Sequence, residues 1–316
     1  MSICGADSAP GQLRILLLAG GTSAERDVSL ESGHCVAETL RQRGHCVQIL
    51  DPACTPLSAA ADVDIILPML HGTGAEDGTL QRELERQSIP WLGSSPAASA
   101  LTFSKSATRQ TLAMAGLPVA PGFSATAETH AALIRQNAER LGLPLVVKPS
   151  QQGSSIGITL VQSWSQFPEA LQVAFQWGPE IVVERWVSGR ELTVPVIDQE
   201  LFPAIEILPE RPWYDYEAKY QDQLTRYQTA PAGLPDDLLP TVLRAVNVCG
   251  VSAISRTDLR LAPDGTFCIL EINTIPGMTS HSLVPLSIAA AGRELGELLE
   301  MLLWRRLQTQ TTKAAA

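Results

Sequence analysis

No apolar run in the 316 residues approaches the roughly 20 that a membrane helix needs, so the sequence offers no spanning helix. Met1 to Gln12 has neither a basic segment nor an apolar one, so it does not read as a secretory signal, and a cytoplasmic location is expected. Cysteine is scarce: Cys4, Cys35, Cys46, Cys54, Cys249 and Cys268 include no C-x-x-C pair. That spacing predicts neither a disulfide framework nor a zinc site, and buried free thiols are expected instead. Positive charge is also in short supply. A net charge of -10 argues against a nucleic-acid partner, which would require a basic face. A small anion is still compatible, because a few lysines can reverse the field inside one cleft. What is present is ordinary globular composition, 45% hydrophobic and 18% charged, in a chain long enough for two or three domains.

The first third alternates strand and helix signals. Arg14–Leu18 is a short apolar run that ends at Gly20-Gly21; a helical pattern follows from about Ala24 to Arg43 and stops at Gly44. Strands are predicted at His45–Asp51 and Asp64–Leu70, and a helix near Gly78–Gln87. This rhythm predicts an α/β fold beginning with a parallel sheet, whose ligands sit at the carboxyl ends of the strands near Gly20, Gly21 and His71. Further on, the pattern predicts helices at about Ser99–Ala115 and Thr126–Leu141, then strands at Leu145–Lys148, Gly157–Val161 and Glu180–Trp186. Strands at Glu191–Ile197, Leu201–Leu208, Ser252–Leu261 and Phe267–Asn273 complete the sheets, and Arg293–Leu307 reads as a closing helix. Between them, Trp213 to Pro231 is polar and aromatic with no apolar period, as expected of a lid.

The sharpest chemical signal is acidic. Glu271 and Asn273 are two apart on one predicted strand and so share a face, and the turn Pro263-Asp264-Gly265 can bring Asp258 opposite them. Three hard oxygen donors on one surface suit Mg²⁺, which keeps some waters and shares phosphate oxygens. A solvated strand face is the plain alternative, but the apolar neighbours Leu259, Ile269, Leu270 and Ile272 point to a covered sheet, where unpaired carboxylates are costly. A phosphate partner is signalled by Lys148 at a strand end, followed by the loop from Gln151 to Gly157 with Gly153, Ser154 and Ser155. Small residues let backbone N–H groups approach phosphate oxygens while a lysine neutralises them. Lys105 and Lys219 are further cations. The connection from Glu184 to Glu191, through Trp186 and Val187, can offer carboxylates to a ribose and backbone to an adenine edge.

Together these pieces resemble the ATP-grasp superfamily and, within it, the D-alanine–D-alanine ligases. The resemblance rests on Gly20-Gly21-Thr22-Ser23-Ala24-Glu25-Arg26-Asp27-Val28-Ser29, His71-Gly72 with Glu76-Asp77-Gly78, and Lys148-Pro149 with Gly153-Ser154-Ser155. It continues in Tyr214 to Tyr220, Arg256-Thr257-Asp258, Glu271-Ile272-Asn273-Thr274 and Pro276 to Ser282, in order from about residue 13 to 305. It implies three domains, 1–98, 99–187 and 188–316, with a lid at about 211–231 and ATP between the second and third. It also implies that Lys105, Lys148 and Lys219 meet phosphates, that Glu184, Trp186, Val187 and Glu191 meet adenosine, and that Asp258, Glu271 and Asn273 hold two Mg²⁺ or Mn²⁺ ions. Glu25 would fix the ammonium of a first D-alanine, with His71 lining its pocket, and Glu25, Ser154 and Tyr220 would form a hydrogen-bonded triad. Arg256 and the Gly277 N–H would hold an oxyanion, and Ser282 with the Leu283 backbone the second D-alanine's carboxylate.

The implied reaction joins two D-alanines through a D-alanyl phosphate for peptidoglycan precursors, and relatives often form homodimers. Acceptors such as D-serine or D-lactate, or a nucleotide-binding paralogue without turnover, are the alternatives. A Rossmann dehydrogenase lacks support because Gly20-Gly21 does not have the G-x-G-x-x-G spacing. Plainer roles exist for single residues: Glu25 could favour a helix start through the dipole, and Ser282 could cap one. Ala75, Gln152 and Arg185 depart from the family's usual Gly, acid and Lys.

Phenylalanine commonly replaces Tyr220 in depsipeptide-forming relatives. Tyr220→Phe should therefore move product from dipeptide toward D-alanyl-D-lactate in a competition assay, and an unchanged ratio would remove Tyr220 from acceptor choice.

Overall fold

The computed structural model describes residues 11–57, 62–208 and 225–314. Strand β1 (Arg14–Leu18) is apolar after its first residue because both of its faces are buried. It lies between β2 (Cys46–Leu50) and β3 (Ile65–Pro68) in a parallel sheet of order β2-β1-β3. Helix α1 (Arg26–Gln42) and helix α2 (Thr79–Gln87) complete the predicted alternation, and Trp91 extends the sheet by a parallel bridge to Ile66.

Two helices stand where one was expected over Ser99–Ala115: α3 (Pro96–Phe103) and α4 (Lys105–Met114). The break is at Ser104, which is extended and accepts a hydrogen bond from the Ala107 N–H, so its hydroxyl caps a new helix. The Lys105 N–H then donates to the Ser150 carbonyl at 2.8 Å, docking α4 by its first residue. Likewise, the segment expected to be helical from Thr126 begins as strand β4 (Gly122–Thr126), and helix α5 spans Ala131–Leu141. Strands β5 (Leu145–Pro149) and β6 (Thr159–Val161), helix α6 (Phe167–Phe175) and strand β7 (Glu180–Arg185) follow. They form an antiparallel sheet of order β4-β7-β5-β6, so β4 exists through its pairing with β7 rather than through its own pattern.

The third sheet has the order β11-β10-β8-β12-β13, with β9 on the side of β8. Its strands are β8 (Arg190–Ile197), β9 (Glu200–Leu201), β10 (Ile205–Leu208), β11 (Arg226–Thr229), β12 (Ile254–Leu261) and β13 (Phe267–Asn273). The single strand expected over Leu201–Leu208 is divided around Pro203, which has no N–H for a ladder. Strand β11 lies inside the stretch expected to be a lid, and most of the rest of that stretch, including Lys219 and Tyr220, lies outside the described residues. Helices α7 (Leu238–Val248), α8 (Leu283–Ala290) and α9 (Leu295–Ala314) close the chain, the last running past the expected end at Leu307.

Three larger cores result. One joins β1 and α1 to α9 and also takes in Ile197, Ile254 and Val284, so the first and third sheets share a core. The second lies between α7 and the third sheet, and the third fills the space between α5, α6 and the middle sheet. Cys249 and Cys268 are buried free thiols as expected, but Cys35 and Cys54 are more exposed and Cys46 is disulfide-bonded. No helix among the described residues is long and apolar enough to cross a membrane.

Gly33 lets α1 approach the end of β1: a Cβ there would stand 2.5 Å from the Ala19 Cβ. Gly33→Val should overpack this contact and destabilise the protein by about 1–3 kcal/mol, read by urea unfolding. An unchanged midpoint would mean that α1 can move away freely.

Candidate functional site

The first wall of the site grows from the end of β1. Gly20 and Gly21 take φ of +96° and +78°, a conformation open to glycine, and a Cβ on Gly20 would stand 2.6 Å from the Asp51 carboxyl. Asp51 accepts from the Gly21 N–H at 2.9 Å and pairs with Arg26 at 2.6 Å, while Arg26 donates to the Gly21 carbonyl at 2.7 Å. The Arg26 guanidinium holds the Asp51 carboxyl well below the usual carboxylate range. This lock fixes the path into α1 and so the position of Glu25. Glu25 stands at the N-cap of α1 but makes no capping bond with its side chain. Its carboxylate instead accepts from the Ser154 hydroxyl, 129 residues along the chain. Ser154 and Ser155 both have positive φ, +50° and +59°, which turns the glycine-containing loop toward Glu25.

Behind Glu25 lie two buried titratable groups. Burial holds the His71 imidazole below its ordinary pKa, and its Nε2 has no hydrogen-bond partner among the described residues. Burial, and secondarily the Glu25 charge, push the Glu76 carboxyl up to about 8, although it accepts from the Gly72 N–H at 2.6 Å. Ala75 is not among the residues with positive φ, and its methyl is buried beside Leu70, Leu84 and Trp91. Alanine at this departure from the family pattern is therefore unstrained.

The opposite wall is the β12–β13 hairpin. Asp258 pairs in register with Glu271, as expected from the hairpin turn, and Arg256 pairs with Asn273. The Asp258 carboxylate accepts from Arg256 at 2.8 and 2.9 Å and from the Thr193 hydroxyl at 2.6 Å. Glu271 pairs with Lys105 at 3.0 Å, and Lys105 also donates to the Gln152 carbonyl at 2.5 Å. Asn273 Oδ1 accepts from the Ile275 N–H at 2.9 Å. After β13, Gly277 approaches Ser282 so closely that a Cβ would stand 3.0 Å from its Oγ. Ser282 is the N-cap residue of α8 but makes no capping bond; its Oγ accepts from the Thr279 N–H at 3.0 Å. A cavity of about 310 Å³ is lined by Glu25, His71, Ser154, Arg256, Gly277, Ser282 and Leu283, together with all three of Asp258, Glu271 and Asn273.

A second cavity, of about 100 Å³, adjoins the first: Lys105, Asp258 and Glu271 line both. Its other walls include Lys148, Glu184, Trp186, Val187 and Glu191. Glu184 is buried between Lys148 at 2.6 Å and Arg109 at 3.1 Å, and Glu191 pairs with Arg260 at 2.9 Å. Arg185 also lines this cavity, while its guanidinium donates to the Leu141 carbonyl at 2.7 Å. The oxygen donors fit a divalent cation in kind: the carboxylates of Asp258 and Glu271 where the two cavities meet, and the Asn273 amide beside them in the first cavity. Among the described residues, no three His, Cys, Asp or Glu side chains form a metal-holding group; this set contains only two.

Of the predicted residues, Lys219 and Tyr220 lie outside the described ones, and the others gather around the two cavities. Sequence reasoning overlooked Arg109, Arg260 and the role of Glu76 as a buried acid. Arg260 had a visible signal, since Arg256, Asp258 and Arg260 alternate on one strand and share a face.

Comparison with known proteins gives a consistent answer. Residues 111–304 match the family model described as the C-terminus of D-ala D-ala ligase. The chain is 40% identical over 299 residues to a D-alanine–D-alanine ligase of Actinobacillus succinogenes, covering 92% of this chain and 97% of that one. It superposes on the crystal structure of a D-alanine–D-alanine ligase from Bacillus anthracis with a TM-score of 0.83 at 29% identity, covering 95% and 99% of the two chains. The same enzyme complexed with ATP gives a TM-score of 0.82 at 28% identity, with the same coverage.

Glu76 keeps its proton in the fold up to about pH 8, whereas the unfolded side chain releases it near 4.5. Its contribution to stability is therefore complete below about pH 4.5 and is lost as pH rises toward 8. Glu76→Gln should flatten this decline when urea midpoints are compared at acidic, neutral and alkaline pH. An identical decline in both proteins would place the titration elsewhere.

Proposed function

The chain belongs to the D-alanine–D-alanine ligase family, and on that premise we propose that its two adjoining cavities receive D-alanine and ATP respectively. The protein is an ATP-dependent ligase that joins two D-alanines into D-alanyl-D-alanine. The observation that carries the site reading is the shared wall: Lys105, Asp258 and Glu271 face both cavities, where a phosphoryl group would pass from one to the other.

In this reading Glu184, Glu191, Trp186 and the backbone at Val187 receive the adenosine, while Lys105, Lys148 and Lys219 neutralise the phosphates. Asp258, Glu271 and Asn273 hold two Mg²⁺ or Mn²⁺ ions, which supply positive charge to the phosphate oxygens. Glu25 fixes the ammonium of the first D-alanine beside His71, so that the D-alanine carboxylate attacks the γ-phosphorus of ATP, the bond to the β-phosphate oxygen breaks, and D-alanyl phosphate and ADP result. Ser154 keeps Glu25 oriented, with Tyr220 as the third member of the triad. Ser282 and the Leu283 backbone hold the carboxylate of the second D-alanine, whose amine attacks the acyl phosphate and displaces phosphate. Arg256 and the Gly277 N–H steady the oxyanion of the tetrahedral intermediate.

The three sheets support domains at 1–98, 99–187 and 188–316, although the first and third share a core. A homodimer in the cytoplasm is the assembly and place that fit this family reading. No observation favours D-serine or D-lactate as acceptor, or a paralogue without turnover.

With ATP, Mg²⁺ and D-alanine as sole amino acid, stoichiometric phosphate and D-alanyl-D-alanine are expected, with products identified by mass spectrometry. Nucleotide binding without phosphate release would overturn turnover, and product only on adding D-serine or D-lactate would correct the acceptor. Glu271→Gln should abolish turnover and weaken metal–nucleotide binding; because it also takes the carboxylate from buried Lys105, its unfolding midpoint should fall, and binding is read on protein that circular dichroism shows to be folded. Near-normal turnover would sink the metal assignment.

A further inference from the structure

The second cavity is built around a residue that the reaction scheme does not use. Arg260 lies on β12, in register with Glu191 on β8, and its side chain is almost wholly buried. Its guanidinium makes three different contacts at once. Nη1 donates to Glu191 Oε2 at 2.9 Å, Nε donates to the Val187 carbonyl at 3.0 Å, and the guanidinium carbon stands 4.2 Å from the centre of the Trp186 ring. These three partners are the aromatic ring, the backbone and the carboxylate that the previous reading gives to adenosine, and all of them line the cavity with Arg260 itself.

A planar fork suits this task and an ammonium does not. Arginine can donate in two directions in its plane while offering its face to an aromatic ring. Locking the Val187 carbonyl fixes the peptide plane between Val187 and Ser188, and with it the path of the chain just after Trp186, where backbone groups would meet a purine edge. Holding Glu191 places its carboxylate at the cavity wall without leaving that partly buried charge uncompensated.

We propose that Arg260 is the positioning residue of the nucleotide subsite, and that by fixing Trp186, Val187 and Glu191 together it sets the preference for adenine. This inference rests on the reading of the second cavity as the ATP site. Arg260 acts through its three neighbours, so it shapes recognition of the nucleotide and leaves the transfer chemistry to other residues.

The test is steady-state kinetics of Arg260→Lys with ATP and with inosine triphosphate, each against saturating D-alanine. The KM for ATP should rise about ten- to hundredfold, the scale of one lost hydrogen bond to a charged group. The preference for ATP over inosine triphosphate should shrink, while kcat at saturating ATP and the KM for D-alanine hold. A merely structural role would lower the unfolding midpoint and reduce kcat for both nucleotides alike, and that pattern would overturn the proposal. An unchanged KM and nucleotide ratio would overturn it equally. Should Arg260→Lys fail to fold, Arg260→Gln keeps a planar amide with one donor nitrogen but neither the two-directional fork nor the charge, and should give the same direction of shift in KM and ratio. Glu191→Gln separates the two levels of the argument. If it raises the KM for ATP and the Arg260 variants do not, only this inference falls; if neither residue affects ATP, the cavity is not the nucleotide site.

Discussion

Charge enters the cleft between the sheets in pairs, and the rest of the site depends on that pairing. Lys148, Glu184, Lys105 and Asp258 are all buried, and each has an opposite charge within about 3 Å. An unpaired charge at such depth would be expelled, neutralised or would unfold its surroundings. Two of the pairs also join different elements, β5 to β7 and α4 to β13, whereas Arg256 and Asp258 pair along β12 itself. The same groups are the ones a phosphate and a cation require, so the architecture stores the binding chemistry as internal ion pairs.

The substrate wall obeys a different rule. There, backbone geometry comes first: two glycines at the end of β1 turn back under the Asp51–Arg26 pair, and this turn delivers Glu25 to the cavity rather than to the helix end it begins. The Glu25–Ser154 hydrogen bond then spans from the first sheet to the loop after β5. Glu25 thus takes a role beyond the helix start it was open to. Ser282 does the same, standing at a helix start while its hydroxyl faces Thr279.

The two walls meet at the β12–β13 hairpin, where a period of two places chemistry on one face. Arg256, Asp258 and Arg260 alternate along β12, each with a separate duty, and their register with β13 and β8 sets which cavity each one serves. Arg260 belongs to the second cavity, whereas Arg256 belongs to the first and Asp258 to both.

Much of this was legible in the chain because it is written locally. The run Ile15 to Leu18 declares a strand buried on both faces, and Glu271 and Asn273 declare a shared face by spacing alone. The order of motifs from Glu25 to Ser282 declared the family. The strands β4 and β11 were not foreseen, since the alternation in Gly122–Thr126 is limited to Phe123 and Ala125 and Arg226–Thr229 offers only Tyr227, and pairing with β7 and β10 completes them. Nor was the capping break at Ser104, because a serine within a helical pattern reads the same whether or not its hydroxyl turns back to the chain. Sequence by itself determined most of the elements, the family and the kind of chemistry, since periodicity and residue type act over a few positions. Only the tertiary structure decided that Arg109 pairs with Glu184, that Arg260 gathers Trp186, Val187 and Glu191, and that burial raises the Glu76 carboxyl. Those facts depend on which distant groups come within about 4 Å and on how much water is excluded there, and neither quantity is carried by the order of residues.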